Sequence, residues 1–413
     1  MFFLPLALGD FAHPFESSHV LHPIQNRNLT MLNKDSLDTL SRMALDSVKR
    51  AALIQHSYFP VNAGEVECTS WRSNGFSDSA IYRLATESGV FAIRSWPNRF
   101  DSPSKVEFWS STNKSFAGET NSLSHVGASN PKPFPKIVEW HSMDASGGLL
   151  LPYANKLWTL CEWVEGKPVE AKGVSKSTVQ HLATILGRLH SHSSQVLQAS
   201  GSPDPKQMMR SNSLRERLDL LKTMDYRLLA TCDPTHFFAN QQLLEKVKHC
   251  LAIVIERQPS WLRFLTICES QNRYCHWIVR DLWSENILID ERQRFSSIVD
   301  LGAARFDWPG LDFVRLFGSL SYRDGERTVF ANDESEEDLW NDAFDSYTQS
   351  HNDHAIESLD ECKMLHKVSL GLSIVQWVLW NQGGSIDLNI SDKAQRVSNR
   401  ISALCDQMLI EAV

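Results

Sequence analysis

Hydrophobic residues follow two different spacings along this chain. In residues 80–86, 90–96, 148–153 and 157–164, short apolar runs alternate with polar residues or are bounded by turn residues. Runs of this length and composition are typical of β-strands. The turn at residues 87–89 joins the first two runs, and the four runs together predict an antiparallel sheet.

Two helices are predicted beside these strands. Residues 34–53 have a helix-like pattern, with Ser36 as the expected N-cap. Residues 102–116 form the second predicted helix, because Pro103 suits the first turn of a helix.

Beyond Gly166 the spacing of apolar residues becomes helical. The apolar positions of residues 177–192 fall on one helical face, so this face can be buried. The same spacing predicts further helices at 212–230, 240–256, 363–381 and 396–411. The polar segments 194–211 and 324–339 are expected to be loops.

The composition excludes several classes of protein. Of the 413 residues, 42% are hydrophobic and 22% are charged, which is the balance of a soluble globular protein. No apolar run approaches the roughly 20 residues of a membrane span, and a net charge of −8 argues against a nucleic-acid partner. The first residues lack the features of a signal peptide, and the eight cysteines form no C-x-x-C pair. The expected location is therefore cytoplasmic, with no membrane partner.

One polar motif interrupts an otherwise apolar segment. In HWIVRDLWSENILID, residues 276–290, Asp281 and Asn286 are five positions apart. A carboxylate and an amide on one short loop can direct a base at a hydroxyl and an oxygen ligand at a metal ion, as phosphoryl transfer requires. The segment 279–286 fits the kinase pattern H-R-D-L-x-x-x-N except at Val279.

Three further elements occur in the order that this chemistry needs. Asp300, in SSIVDLGAARFD, follows an apolar strand and precedes Gly302, as a magnesium-binding aspartate would. Arg94, in VFAIRSW, presents a cation from a strand. Upstream, a turn with one glycine leads into a strand, so backbone N–H groups around Ser77 and Asp78 are expected to cover phosphates.

With these motifs, residues 65–385 resemble the aminoglycoside phosphotransferase and choline kinase family, the small-molecule branch of the protein-kinase-like fold. The likeness is clearest in VRDLWSENILID and SIVDLGAARFDWPGLDFVRLFG. It implies an α+β, two-lobed fold with a small antiparallel β-rich N-lobe and a larger helical C-lobe. The implied division is an N-terminal extension at 1–64, the N-lobe at 65–164 and the C-lobe at 165–413.

The resemblance also implies a role for each motif residue. Asp281 would be the catalytic base, and Asn286 and Asp300 would bind Mg²⁺. Arg94 would take the place of the phosphate-binding lysine. Asp312 would cap the helix that follows the metal-binding segment.

By the same resemblance, the segment LCEWVEGKP would be the hinge between the lobes. Backbone groups of Glu162 and Val164 would bind adenine, with Cys161 behind the ring. Glu107, on the second predicted helix, would pair with Arg94.

The function that the resemblance implies is transfer of the γ-phosphate of ATP, with Mg²⁺, to a hydroxyl or amine of a small molecule such as a sugar, an amino alcohol or an aminoglycoside. The net charge of −8 would suit a cationic acceptor, and Trp283 or Trp308 could line an aromatic cage for a quaternary amine. The sequence leaves the oligomeric state open.

Other interpretations of the same residues stay open. Val279, Arg94 and the glycine-poor loop also fit a catalytically degenerate nucleotide-binding or scaffold protein. Asp281 and Asp300 could be turn residues, and Asn286 could bond the loop backbone. Arg94 could be an outward-facing strand residue paired with an acid. An unrelated hydrolase is disfavoured, because the chain has no G-x-S-x-G or H-E-x-x-H motif.

Overall fold

The structure of the chain is a computed structural model, and it describes residues 32–54, 67–71, 80–87, 89–96, 102–118, 133–142, 145–170, 174–199, 208–223, 241–320, 322–324, 327–329, 336–351, 356, 358–382 and 391–411. The helices of this part of the chain are α1 (Lys34–Ile54), α2 (Ser102–Gly118), α3 (Lys176–Ala199), α4 (Asn212–Thr223), α5 (Gln241–Ser270), α6 (Gly310–Gly318), α7 (Glu336–Ser350), α8 (Leu359–Gln382) and α9 (Ser391–Glu411).

The strands are short, and most of those after Gly166 form two-stranded pairs. They are β1 (Glu67–Trp71), β2 (Ile81–Thr86), β3 (Gly89–Trp96), β4 (Ile137–Val138), β5 (Trp140–Ser142), β6 (Ala145–Gly148), β7 (Leu151–Tyr153), β8 (Lys156–Glu162), β9 (Lys167–Pro168), β10 (Met208–Met209), β11 (Arg273–Tyr274), β12 (His276–Ile278), β13 (Ile287–Ile289), β14 (Phe295–Ile298), β15 (Arg305–Asp307), β16 (Tyr322–Asp324) and β17 (Arg327–Val329).

The N-lobe is built on an antiparallel sheet with the strand order β1-β2-β3-β8-β4, and β7 also pairs with β8. In β3, Phe91 and Ile93 are buried in a cluster that the sheet forms with α1. Ala92 and Trp96 instead pack in a second, larger cluster. Side chains alternate between the faces of a strand, so Arg94 lies on the same face as Ala92 and Trp96.

The larger hydrophobic cluster fills the helical C-lobe and includes Val106 and Phe108 of α2. Helices α3 and α7 pack closely where α3 carries Gly187. A Cβ atom at Gly187 would lie 2.7 Å from the carbonyl oxygen of Tyr347, so a larger residue would push the helices apart. None of the described helices is both long and apolar enough to cross a membrane.

Two small antiparallel sheets hold the loop that carries the polar motif. Strand β12 pairs with β15, and β13 lies between β14 and β9. Residues 279–286 connect β12 to β13, so both ends of this loop are fixed by strand pairing. The strand β14 leads directly to Asp300, which brings the second acidic motif to the same place.

The sequence pattern predicted the main elements correctly. The α+β, two-lobed fold class is confirmed, and α2 begins at Ser102 with Pro103 in its first turn. The four predicted strand runs correspond to β2, β3, β6 with β7, and β8. The division at 1–64, 65–164 and 165–413 stays a prediction.

Helix α5 is much longer than the segment 240–256 that was predicted. It continues to Ser270 through Pro259, a residue that removes one backbone N–H and normally ends a helix. The carbonyl left without that donor belongs to Ile255, whose side chain is 39% exposed. Because this part of the helix faces solvent, water can bond the carbonyl, and the helix tolerates the proline.

Three smaller predictions were wrong. Ser36 is not the N-cap of α1, because the side-chain oxygen of Asn33 accepts the N–H of Ser36 at 2.8 Å. The expected loop 194–211 is helical as far as Ala199. The expected loop 324–339 contains strand β17 and the first turn of α7. For the two segments local polarity was taken for a loop, and for α1 the local cap lies three residues before Ser36.

Candidate active site

The loop 279–286 is closed by its own hydrogen bonds. The Asp281 carbonyl accepts the backbone N–H of Trp283 at 3.0 Å and the side-chain amide N–H of Asn286 at 2.8 Å. Arg280 adopts φ +68°, in the left-handed region, and so reverses the chain just before Asp281. The loop therefore presents Asp281 and Asn286 in a fixed relation to each other.

Asp312 holds the start of this loop from helix α6. Its carboxylate accepts the backbone N–H groups of Val279 at 2.8 Å and Arg280 at 2.6 Å, and the residue is fully buried. The expected role of Asp312 as a helix cap is wrong, because Pro309 occupies the N-cap position and Asp312 lies within the first turn. Burial raises the pKa of the Asp312 carboxyl to about 7, although the two N–H groups favour its ionised form.

Asp312 is in turn held by buried aromatic and imidazole side chains. His190 of α3 lies 3.3 Å from the Asp312 carboxylate and 2.8 Å from the Tyr347 hydroxyl. The His276 ring lies beside His190, with 5.0 Å between the ring centroids. Burial lowers the pKa of both histidines well below the usual value, so both rings are neutral near pH 7. The cluster links helices α3, α6 and α7 to strand β12 behind the loop.

The side chain of Asp281 has one engaged and one open oxygen. Its Oδ1 accepts the indole N–H of Trp283 at 2.6 Å. Within the described part of the chain, no donor bonds Oδ2. Asp281 is half-buried, and Oδ2 is the oxygen left to contact a bound molecule.

Asp300 lies beside the loop because the backbone is tied there. The N–H of Val299 donates to the Asn286 carbonyl at 2.8 Å, which makes Asp300 an immediate neighbour of Asn286. Asp300 adopts φ +64°, and its carboxylate accepts the N–H of Gly302 at 3.1 Å. Left-handed backbone is uncommon for residues other than glycine, and here it brings the Asp300 carboxylate back to the N–H of Gly302.

Arg94 reaches Asp300 from the N-lobe sheet. The two side chains form an ion pair and a hydrogen bond. Burial alone would raise the pKa of the Asp300 carboxyl, but the Arg94 guanidinium holds it below the usual value. Arg94 itself is 6% exposed, so the interpretation of Arg94 as an outward-facing strand residue is wrong. Its Nε atom is buried and has no hydrogen-bond partner among the described residues.

A second cation, not predicted from the sequence, lies at this position. Lys105 of α2 is buried and donates to the Gly302 carbonyl at 2.7 Å. Glu107, the expected partner of Arg94, is exposed, and Arg94 pairs with Asp300 instead. The sequence pattern could have indicated that Lys105 is buried, because Lys105 shares a helical face with the apolar residues of α2. A lysine on an apolar face marks a buried charge, and such charges need partners.

The segment expected to be the hinge has an open backbone donor at Val164. The N–H of Glu162 bonds the Lys136 carbonyl at 2.8 Å, and the N–H of Trp163 bonds the Val90 carbonyl at 2.9 Å. The N–H of Val164 has no acceptor within the described residues. Glu162 could therefore contact a base only through its carbonyl oxygen, whereas Val164 could donate.

Cys161, expected behind the adenine ring, is buried at the end of β8 in the larger hydrophobic cluster. Its thiol lies 3.7 Å from the Ala92 carbonyl. Burial raises the pKa of this thiol to about 12, so it is neutral and acts as a small apolar surface. Ser77 and Asp78, the expected phosphate-covering residues, lie outside the described residues.

A family model agrees with this arrangement. The model of the phosphotransferase enzyme family matches residues 73–346, which is more than half of the chain. The chain belongs to this family. The matched segment contains the strand of Arg94, the loop of Asp281 and Asn286, and Asp300.

Several solved structures are similar to this phosphotransferase, and the first of those described here shows its fold. A spectinomycin phosphotransferase, solved with ADP and spectinomycin, shares 9% identity and a TM-score of 0.52, over 86% of this chain and 100% of that one. An aminoglycoside phosphotransferase from Alicyclobacillus acidocaldarius shares 13% identity over 86% of this chain and 95% of that one, with a TM-score of 0.47. Amicoumacin kinase hAmiN, solved with AMP-PNP and Ca²⁺, shares 13% identity over 91% and 96% of the two chains, with a TM-score of 0.48. None of the curated proteins matches the chain.

The donor atoms of this phosphotransferase suit a hard divalent cation. Asp300 offers an ionised carboxylate and Asn286 an amide oxygen, and Mg²⁺ prefers oxygen ligands of both kinds. Within the described residues, no group of three or more His, Cys, Asp or Glu side chains could bind a metal by itself. A cation between Asn286 and Asp300 would therefore complete its coordination with phosphate oxygens and water. This is the usual way in which Mg²⁺ binds with a nucleotide.

Proposed function

We propose that this phosphotransferase moves the γ-phosphate of ATP to a hydroxyl or amine of a small molecule with the help of Mg²⁺. The observation that carries the proposal is the convergence of three polar groups beside one loop. Asp281 and Asn286 are joined through the Asp281 carbonyl. Asp300 is joined to Asn286 through the backbone of Val299. A base and two oxygen ligands in this relation are what phosphoryl transfer requires.

In the proposed reaction, Asp281 orients the acceptor and takes its proton. The oxygen or nitrogen of the acceptor forms a bond to the γ-phosphorus, the bond from that phosphorus to the bridging oxygen breaks, and ADP leaves. Oδ2 of Asp281 is the open oxygen for this proton, because Oδ1 is bonded by Trp283. When bound, Mg²⁺ would neutralise charge on the β- and γ-phosphates. The chain supplies mainly position and electrostatics.

Two buried cations support a nucleotide site between the lobes. Arg94 and Lys105 both lie next to the Asp300 segment, and the unpartnered Nε of Arg94 is a donor that a phosphate oxygen could satisfy. We assign Arg94 to the phosphates and Asn286 with Asp300 to the cation. The backbone of Glu162 and Val164 is assigned to adenine, and Ser77 with Asp78 to covering the phosphates.

The absence of histidine at Val279 is compatible with catalysis. The N–H groups of Val279 and Arg280 are held by Asp312, and Asp312 is held by His190. The loop is therefore braced through its backbone, whichever side chain occupies position 279. This arrangement removes one argument for a degenerate enzyme.

A nucleotide-binding scaffold without transferase activity remains the competing function. One observation favours it, which is the direct ion pair of Arg94 with the carboxylate assigned to the metal. A guanidinium is also bulkier than the ammonium it replaces and contacts phosphates with a different geometry. The scaffold has no use for Asp281, and so the two functions differ in whether product forms.

The test is product formation by the full-length protein. Purified protein would be incubated with ATP, MgCl₂ and pools of small hydroxyl and amine compounds, and ADP release and phosphorylated product would be measured by coupled assay and mass spectrometry. We expect ADP release that needs both an acceptor and the divalent cation, and that stops with EDTA. MgATP binding without product from any pool would favour the scaffold.

A further inference from the structure

A cleft beside the catalytic loop is lined by cations. It is formed by residues of α4, α6 and α8 together with the loop itself, and its polar and aromatic lining residues are Arg217, Trp283, Arg315, His366, Ser369 and Ser373. The Trp283 indole N–H bonds Asp281 at 2.6 Å, so the cleft begins next to the proposed base. We call these residues the acceptor cleft.

Two arginines of the acceptor cleft have no counter-ion. Arg217 donates to the Ser369 hydroxyl at 3.3 Å and to the Ser213 carbonyl at 3.1 Å, both neutral groups. In the part of the chain that the structure describes, neither Arg217 nor Arg315 has a carboxylate within ion-pair distance. Partly buried guanidinium groups without an anion are unusual, because desolvation of a charge is costly unless it is paired.

Three nearby acids are already engaged with other groups. Glu216 pairs with Arg280 and Arg305, at 3.0 and 2.7 Å. Glu285 pairs with Arg400 at 2.6 Å. Asp312 is committed to the backbone N–H groups of the loop. Asp281 and Asp312 act on Arg315, and Asp307 acts on Arg217, only through space, so no described carboxylate is in ion-pair contact with either guanidinium.

The pKa values of these two arginines are lowered by burial and by neighbouring positive charges. Burial, together with the neighbouring Arg315 and Arg280, lowers the pKa of Arg217 to about 9. Burial also lowers the pKa of Arg315 to about 10, with Arg400 and Arg280 acting in the same direction against Asp281. Both groups are still protonated at pH 7, and an anion between them would relieve the repulsion.

The aromatic surface of the acceptor cleft is covered by cations. The guanidinium carbons of Arg315 and Arg400 lie 4.1 and 3.9 Å from the centroid of the Trp283 ring. Trp308 is fully buried, and Arg273 lies 4.3 Å from its centroid. Neither ring has a free face for a quaternary amine, so the aromatic cage considered from the sequence does not form here.

We propose that the acceptor is a small hydroxyl compound that carries a carboxylate or phosphate group, bound by Arg217 and Arg315 while its hydroxyl faces Asp281. The inference rests on the proposed phosphotransferase function and narrows its acceptor class. Guanidinium groups match the geometry of carboxylate and phosphate oxygens, so two of them can hold such a group firmly. This local charge is opposite to the cationic preference that the net charge of −8 suggests.

The test is anion binding by the full-length protein saturated with MgAMP-PNP, which fills the nucleotide site and so separates it from the acceptor cleft. Titration calorimetry would use inorganic phosphate first. It would then use a matched set that varies the charge of one sugar skeleton: glucose, glucosamine, glucuronate and glucose 6-phosphate. We expect phosphate to bind with a dissociation constant on the order of 1 mM. We also expect glucuronate or glucose 6-phosphate to bind at least about tenfold more tightly than glucose and glucosamine. The two anionic sugars distinguish a carboxylate acceptor from a phosphate acceptor.

Variants of Arg217 and Arg315 test whether phosphate binds in the acceptor cleft. Arg315→Gln and Arg217→Gln should each weaken phosphate binding about tenfold or more, whereas Arg315→Lys should bind with an intermediate affinity, because it keeps the charge but loses the planar pair of donors. Arg292→Gln, at an exposed position away from the cleft, is the matched control and should bind as the wild type does.

The proposal is overturned if phosphate does not bind, if both glutamine variants bind it as tightly as the wild type, or if glucosamine binds best. The same experiments measure the binding of MgAMP-PNP alone to the protein. If MgAMP-PNP does not bind, the proposed function is contradicted. If it binds but phosphate binding does not depend on the two arginines, only the acceptor class is contradicted.

Discussion

Asp281→Asn should reduce phosphoryl transfer by about 10² to 10⁴-fold in kcat, the range that a general base contributes. An amide cannot take the acceptor proton, but it is nearly the same size and can still accept the Trp283 indole N–H. The loop geometry should therefore be kept, and MgATP should still bind. Steady-state assays of ADP release and a thermal shift with MgATP measure the two effects separately.

The matched control for this variant is Asp219→Asn on the exposed face of α4. It makes the same chemical change at a distance from the loop and should leave kcat within about twofold, since surface substitutions rarely matter. Full activity of Asp281→Asn would remove Asp281 from its assigned role. Loss of both activity and MgATP binding would instead indicate a structural role for this carboxylate.

Asp312→Ala should cause the largest loss of stability, about 3 to 5 kcal/mol, because it leaves the buried N–H groups of Val279 and Arg280 without an acceptor. His190 would lose its partner as well. We expect a melting temperature several degrees lower. We also expect a lower kcat, since Asp281 directly follows the freed backbone. Thermal unfolding and ADP release measured on one preparation would show both changes.

Asp345→Ala on the exposed face of α7 is the control for this change, and it should alter stability by less than about 0.5 kcal/mol. Asp312→Asn should fall between the wild type and alanine, because one side-chain oxygen remains to accept one of the two N–H groups. A wild-type melting temperature for Asp312→Ala would contradict the brace that we describe.

The chemistry of the loop could be predicted from the sequence because it is contiguous. Asp281 and Asn286 are five residues apart, and the short strands on both sides fix their relation. Asp300 follows after one hairpin, so its position depends on the local pairing of β13 with β14. Local pairing leaves a clear pattern in the sequence, and these residues meet as expected.

Contacts between distant segments could not be predicted in this way. Arg94 and Asp300 are 206 residues apart, and their pairing depends on how the lobes pack. The expected Glu107 partner failed for this reason, since the rotation of α2 directs Lys105 rather than Glu107 towards the Asp300 segment. Periodicity shows which face of a helix is buried, but it does not show what that face contacts.

The charge of the acceptor cleft could not be predicted from the sequence either. Arg217 and Arg315 come from different helices and meet at Trp283 only after folding. A net charge of −8 describes the whole chain and does not report the sign of one cleft. No described acid forms an ion pair with Arg217 or Arg315, so cations line this cleft although the chain as a whole is acidic.

The proposed function requires a magnesium-dependent nucleotide site at Asn286 and Asp300. The most direct measurement is the melting temperature of the purified protein with ATP and Mg²⁺, with ATP and EDTA, and with neither. At about 100 times its dissociation constant, a ligand adds roughly 2.7 kcal/mol to the stability of the folded state. We predict a rise of a few degrees that requires Mg²⁺. No rise with either form of the nucleotide, or an equal rise with EDTA, would contradict the account.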